Sequence, residues 1–137
     1  MNVYFTDSEP ESLQFSVIAA RFKGKWIYVR HRERDTFEIP GGHIEPGESS
    51  FEAAVREFEE ETGAVEFTLC PVKKYAVERD GVITYGELFY ADVTKLGDIP
   101  DFEMAERILC DEPPGAQTYP EIQPMLFEAV CQRLGLE

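Results

Sequence analysis

The stretch from Pro40 to Gly63 constrains this chain more than any other. Pro40-Gly41-Gly42 and Pro46-Gly47 turn the backbone twice within a few residues, and no glycine or proline then interrupts residues 50–62. Ser49 with Glu52 fits the capping box S-x-x-E, in which each side chain satisfies the other residue's backbone N–H. Phe51, Ala54, Val55, Phe58 and Thr62 recur at helical spacing and form one apolar stripe. Thr62-Gly63 stops the pattern, with glycine suited to the left-handed residue past a helix end. A double turn feeding a capped helix over residues 49–62 is therefore expected, and its stripe needs a partner layer.

The flanking segments supply that layer. Leu13, Phe15 and Val17 alternate with Gln14 and Ser16, which reads as a strand. A turn at Lys23-Gly24-Lys25 leads into Trp26-Ile27-Tyr28-Val29, rich in β-formers. Two further strands are expected at about 66–78 and 83–93, joined through Glu78-Arg79-Asp80-Gly81, whose Asp-Gly is a strong hairpin signal. Residues 105–110 read as a short strand, broken by Pro113-Pro114-Gly115. A second helix is expected from about Gln123 to Leu134. Thr118 and Glu121 are candidates to cap it, and Pro124 predicts an irregular first turn. Residues 1–12 read as a loose lead-in. Strands and helices interspersed in this way predict an α/β chain with a mixed β-sheet between helices.

At 137 residues the chain is expected to be a single domain, 1–137. Asp and Glu number 27 against 13 Lys and Arg, a net charge of −14. Such a surface repels duplex nucleic acid and anionic lipid, so neither is an expected partner. A phosphorylated small molecule stays possible where a cation mediates. Cys70, Cys110 and Cys131 are far apart and form no metal-binding spacing; reduced, buried thiols in a cytoplasmic protein are expected. The N-terminus lacks a basic and apolar leader pattern, and no apolar run approaches the roughly 18 residues of a membrane span.

On a helical wheel Glu57, Glu60 and Glu61 share one flank, and residues 45–61 hold seven glutamates against a single arginine, Arg56. Like charges at that spacing destabilise a helix. One reading is a solvated acidic face. The other is a site for a hard divalent cation, which takes oxygen ligands and keeps waters and phosphates in its shell.

The wider spacing distinguishes the two. Gly42, five residues, Glu48, seven residues, then Arg56-Glu57-Phe58-x-Glu60-Glu61-x-Gly63-Ala64 resembles the Nudix box, G-x5-E-x7-R-E-U-x-E-E-x-G-U, with U a bulky apolar residue. Every fixed position matches. Phe58 is aromatic at the first U, and Ala64 is smaller than the usual final one. Phe37-Glu38-Ile39-Pro40-Gly41-Gly42 is similar to the family's entry into the box. The resemblance implies the Nudix fold, an α/β/α sandwich. It also implies Mg²⁺- or Mn²⁺-dependent hydrolysis of a diphosphate linked to another group, usually in a nucleotide. It places Glu57, Glu60 and Glu61 as metal ligands, with one of them or a loop carboxylate as general base. Arg56 and Glu48 would hold those ligands in place.

The short chain is most similar to the MutT-like group, which takes nucleoside triphosphates, oxidised ones included. The region where ADP-ribose hydrolases carry a proline holds Arg79, Asp80 and Gly81 instead. A catalytically idle nucleotide-binding module is the competing reading, and the intact glutamates argue against it. Further candidates are Arg30, Arg32 and Arg34 for substrate phosphates, Asp101, Glu103, Glu106 or Glu87 as a distal acidic ligand, and Phe37, Tyr85 or Tyr119 for stacking on a base. His43 is expected to be structural or solvent-facing.

Overall fold

A computed structural model describes residues 1–136. Seven strands and two helices follow in the order β1 (Asn2–Phe5), β2 (Leu13–Phe22), β3 (Lys25–His31), β4 (Gly41–His43), α1 (Ser50–Thr62), β5 (Ala64–Arg79), β6 (Val82–Leu96), β7 (Met104–Cys110) and α2 (Gln123–Leu134), with one 3-10 turn at Pro10–Ser12. The strands form a single sheet ordered β1-β5-β6-β2-β3-β7, with β4 paired to β2 off that path. Only β2 and β6 run parallel; all other pairs are antiparallel. The expected mixed sheet between helices is what forms.

The central strands are apolar on both faces because a helix covers each face. Ile18, Ala20, Ile27, Phe89 and Ala91 pack with Ala54 and Phe58 of α1. Their sequence neighbours Ala19, Tyr28, Leu88 and Tyr90 point the other way, onto Leu126, Ala129 and Val130 of α2. The period of two thus divides one sheet between two cores.

Several expectations are corrected here. Residues 2–5 are not a loose lead-in, since β1 pairs with β5 from Asn2↔Glu78 to Phe5↔Tyr75. Strand β4, hidden between turn formers, pairs Phe15↔His43 through Val17↔Gly41. The stripe on α1 is rotated: Ala53, Ala54, Phe58, Glu61 and Thr62 are buried, while Phe51 is exposed and Val55 only half-buried. The thiols are free, but Cys70 is exposed and Cys110 and Cys131 are half-buried, so none sits in the core. Neither Thr118 nor Glu121 caps α2; Pro124 falls within its first two positions, where a missing N–H costs nothing.

The local signals elsewhere are met. Ser49 and Glu52 make both capping-box bonds, and Gly63 closes α1 at φ 74°. Asp80 and Gly81 both take positive φ, which gives the two-residue reversal from Arg79 to Val82. Arg107 donates to the carbonyls of Thr62 and Gly97, placing a cation at the negative end of α1.

Candidate active site

Strand β4 and α1 together bring the carboxylates into one place. Capped at Ser49, α1 starts just after the second turn, so its length places Glu57 and Glu61 beside β4. Gly42 has no room for a side chain, because a Cβ there would lie 2.5 Å from the Glu57 carboxyl carbon. Glu61, buried, accepts from the Gly41 N–H at 3.0 Å.

Arg56 organises the rest. Its guanidinium donates to both oxygens of Glu48, at 2.7 and 2.9 Å, a bidentate pair. It also donates to Glu57 at 2.9 Å and to the His43 carbonyl at 3.0 Å. Glu60 lies 3.8 Å from the same group and is over one-third exposed, the least committed of the cluster. Glu48, Arg56, Glu57, Glu60 and Glu61 are thus all brought together, as the sequence spacing predicts.

The electrostatics follow from this packing. The Arg56 guanidinium holds the Glu48 carboxyl down to about 2, with the Glu45 backbone assisting. Burial pushes the Glu61 carboxyl up to about 9, and the charges of Glu57 and Glu38 act in the same direction. Glu57 is raised too, again chiefly by burial, despite the pull of Arg56. Each of the two carboxyls is thus raised mainly by burial, and their charges act on one another.

Among the described residues no three His, Cys, Asp or Glu side chains are already drawn into one cation-sized cluster. The donor set still suits a hard divalent ion. It is all oxygen, and its buried members repel one another, a cost that a cation would relieve.

The other candidates separate clearly. Arg30 pairs with Glu106 at 3.0 Å, Arg32 pairs with Asp101, and His31 lies 3.7 Å from Glu103. The basic run on β3 and the distal acids beside β7 therefore neutralise each other. Glu87 accepts from the Ser50 hydroxyl at 2.6 Å, near the start of α1. Phe37 packs against the α2-side core. His43 is exposed and its ring lies 4.7 Å from that of Phe15.

A cavity of about 520 Å³ opens on the α2 side of β4, lined in part by Phe15, Tyr75, Tyr119 and Leu126. Of the stacking candidates, Tyr119 lines it, and neither Phe37 nor Tyr85 does. Gly41, Gly42 and His43 form one wall, so β4 separates this cavity from the carboxylates. Glu38 also lines it and is buried; burial raises its carboxyl, against the pull of Arg34. No motif singled out Glu38. The one available signal is an acidic residue set between Phe37 and Ile39, just before a turn.

Comparison with known proteins bears on the family and the fold. A profile of the NUDIX domain matches residues 11–100. A protein of Bacillus subtilis (strain 168) named "Putative 8-oxo-dGTP diphosphatase YtkD" is 38% identical over 98 residues, covering 71% of this chain. That aligned stretch spans 61% of YtkD's own length. The Bacillus subtilis pyrophosphohydrolase BsRppH, solved as a glutamate-to-alanine mutant, superposes with a TM-score of 0.80 at 28% identity, over 98% of this chain and 93% of that one. The NUDIX domain of Shewanella oneidensis NrtR, crystallised with ADP ribose, shares the fold at a TM-score of 0.71 and 14% identity, covering 93% and 94%.

Proposed function

The chain belongs to the Nudix family, and from that premise we propose that it hydrolyses a diphosphate linkage in a nucleotide-type substrate, with nucleoside triphosphates as the preferred class. One observation carries the reading: Arg56 clamps Glu48 and Glu57 while β4 fixes Glu61, which leaves a rigid carboxylate surface beside a cavity of nucleotide size. The names of YtkD and BsRppH support it. A free-thiol chain of net charge −14 suits a cytoplasmic enzyme acting on small molecules.

Glu57, Glu60 and Glu61 would hold Mg²⁺ or Mn²⁺. A cation held by these carboxylates would supply Lewis acidity for an attacking water and for the phosphoryl oxygens. The chain's own residues supply the positioning. Arg56 keeps Glu57 from rotating away, and Glu48 keeps Arg56 in place, a supporting role that typically matters 10–100-fold in metal affinity or activity. The Gly41 N–H orients Glu61 through one oxygen. Glu60 is the most open to solvent and substrate.

The test is a hydrolysis screen of canonical and oxidised nucleoside triphosphates, ADP-ribose, sugar nucleotides and dinucleoside polyphosphates, with Mg²⁺ and with EDTA, beside Glu60→Gln. Metal-dependent turnover that the variant loses is expected. Silence across the panel in a folded protein that binds a nucleotide would instead identify a binding module.

A further inference from the structure

The geometry points to Glu38 as the residue that reads the base, and to a guanine-type base as the occupant of the cavity beside β4. This rests on the nucleotide reading above. The cavity is mostly apolar and partly aromatic, with Phe15, Val17, Tyr75, Val77 and Leu126 in its walls. Such walls suit a flat ring and place no hydrogen bonds on its edge.

The polar groups on those walls differ in how they are placed. Gln123 is buried, but its oxygen accepts from the Ile39 N–H at 2.7 Å and its nitrogen faces the Ile39 carbonyl at 3.4 Å. Both ends of that amide are oriented by the backbone of Ile39. Asp80 and Arg79 are exposed at the hairpin tip. Glu38 differs from all of these. It is 7% exposed, lines the cavity, and is held from behind by Arg34 at 3.2 Å. A carboxylate offers about four acceptor positions, so capacity remains for a ligand.

Arg34 and Tyr119 fasten this arrangement. Arg34 Nη1 lies 3.5 Å from the Tyr119 hydroxyl, and its guanidinium sits 5.9 Å from that ring. The strand-like bridge Phe37↔Gln117 carries Tyr119 to the cavity rim. Glu38 is thus fixed rather than free to swing into solvent.

The chemistry selects the ligand. An ionised carboxylate only accepts, and a guanine edge presents two adjacent donors, N1–H and the 2-amino group. Oxidation at C8 leaves both in place. An adenine edge sets a single 6-amino donor beside an acceptor at N1, and a carboxylate repels that acceptor. A site built to pair with donors rejects analogues that lack them more strongly than an apolar slot does, because its own buried group is left unpaired.

The experiment has a binding arm and a turnover arm. Calorimetric titration with GMP, IMP and AMP compares two adjacent edge donors, one donor beside a carbonyl oxygen, and one donor beside a ring-nitrogen acceptor. GMP is expected to bind tightest of the three, with about 10-fold or more between GMP and AMP. Glu38→Gln is expected to narrow that ratio at unchanged melting temperature, and to raise KM for dGTP far more than it lowers kcat. Equal binding of GMP and AMP by the wild type overturns the inference, as does absence of binding to all three. Neither wild-type result depends on the variant folding. Guanine-selective binding without hydrolysis of any triphosphate would sink the catalytic reading and leave this one standing. Turnover of dATP and dGTP at equal kcat/KM would do the reverse.

Discussion

Replacing Gly42 with alanine should separate the chemistry of this protein from its stability. The new Cβ would sit 2.5 Å from the carboxyl carbon and one oxygen of Glu57, and 2.8 Å from the other oxygen. Ordinary contact begins near 3.4 Å, so the carboxylate must retreat by about 1 Å. Gly42 is not among the residues with positive φ, so its backbone accepts alanine without strain. The retreat stretches the 2.9 Å bond from Arg56, worth about 1 kcal/mol net. Stiffening the unfolded chain returns about 0.4–1 kcal/mol. The melting temperature should therefore move by no more than about 4 °C. Activity is far more sensitive, because misplacement of a catalytic group by about 1 Å can cost about 100-fold. The assay is kcat/KM on the best substrate of the screen, alongside melting curves with and without Mg²⁺. Near-wild-type kcat/KM would refute the claim that the chemistry needs Glu57 where Gly42 allows it. A collapse in melting temperature would show Gly42 serving the fold instead.

Other expected outcomes follow from the same geometry. Gly63→Ala should lower the melting temperature well beyond Gly81→Ala: both positions have positive φ, costing about 1–2 kcal/mol, but at Gly63 a Cβ also meets the Asp98 carbonyl oxygen at 2.2 Å, whereas nothing lies near Gly81. Equal losses in differential scanning calorimetry would rule out that contact as a cause. Because the folded Glu48 carboxyl is depressed from 4.5 to about 2, its stabilising share is present above pH 4.5 and lost as pH falls toward 2. Acid titration of Glu48→Gln should show a shallower loss across that window, and an unchanged slope would contradict the Arg56 clamp. Phe58→Ala, fully buried beneath α1, should cost about 3–5 kcal/mol in urea unfolding. Mg²⁺ should raise the melting temperature of the wild type and not of a Glu57→Gln, Glu61→Gln double variant; an equal rise in both would place the ion elsewhere.

What the sequence determined by itself is whatever depends on residues close along the chain. The capping box at Ser49 and Glu52, the glycine stop at Gly63 and the Asp80-Gly81 reversal are local bargains between side chain and backbone, so their residue types suffice. The box spacing from Gly42 to Gly63 was legible for the same reason, since helical periodicity brings Arg56, Glu57, Glu60 and Glu61 close without help from elsewhere.

The tertiary structure decided what depends on distant partners. Asn2–Phe5 becomes a strand because β5 offers an open edge, and its four residues carry too little pattern to announce that. The three residues of β4 likewise exist only against β2. The rotation of α1 is set by which faces of β2 and β6 lie beneath it, and that rotation turns Glu61 from a flanking charge into a buried one. Arg30 and Arg32 meet acidic partners because β7 pairs with β3 and brings Glu106 and Asp101 alongside. Glu38 gains its place because the segment before α2 folds back over residues 36–38 and encloses it. Each of these is a long-range contact, and a one-dimensional pattern does not say which distant surface a face will meet.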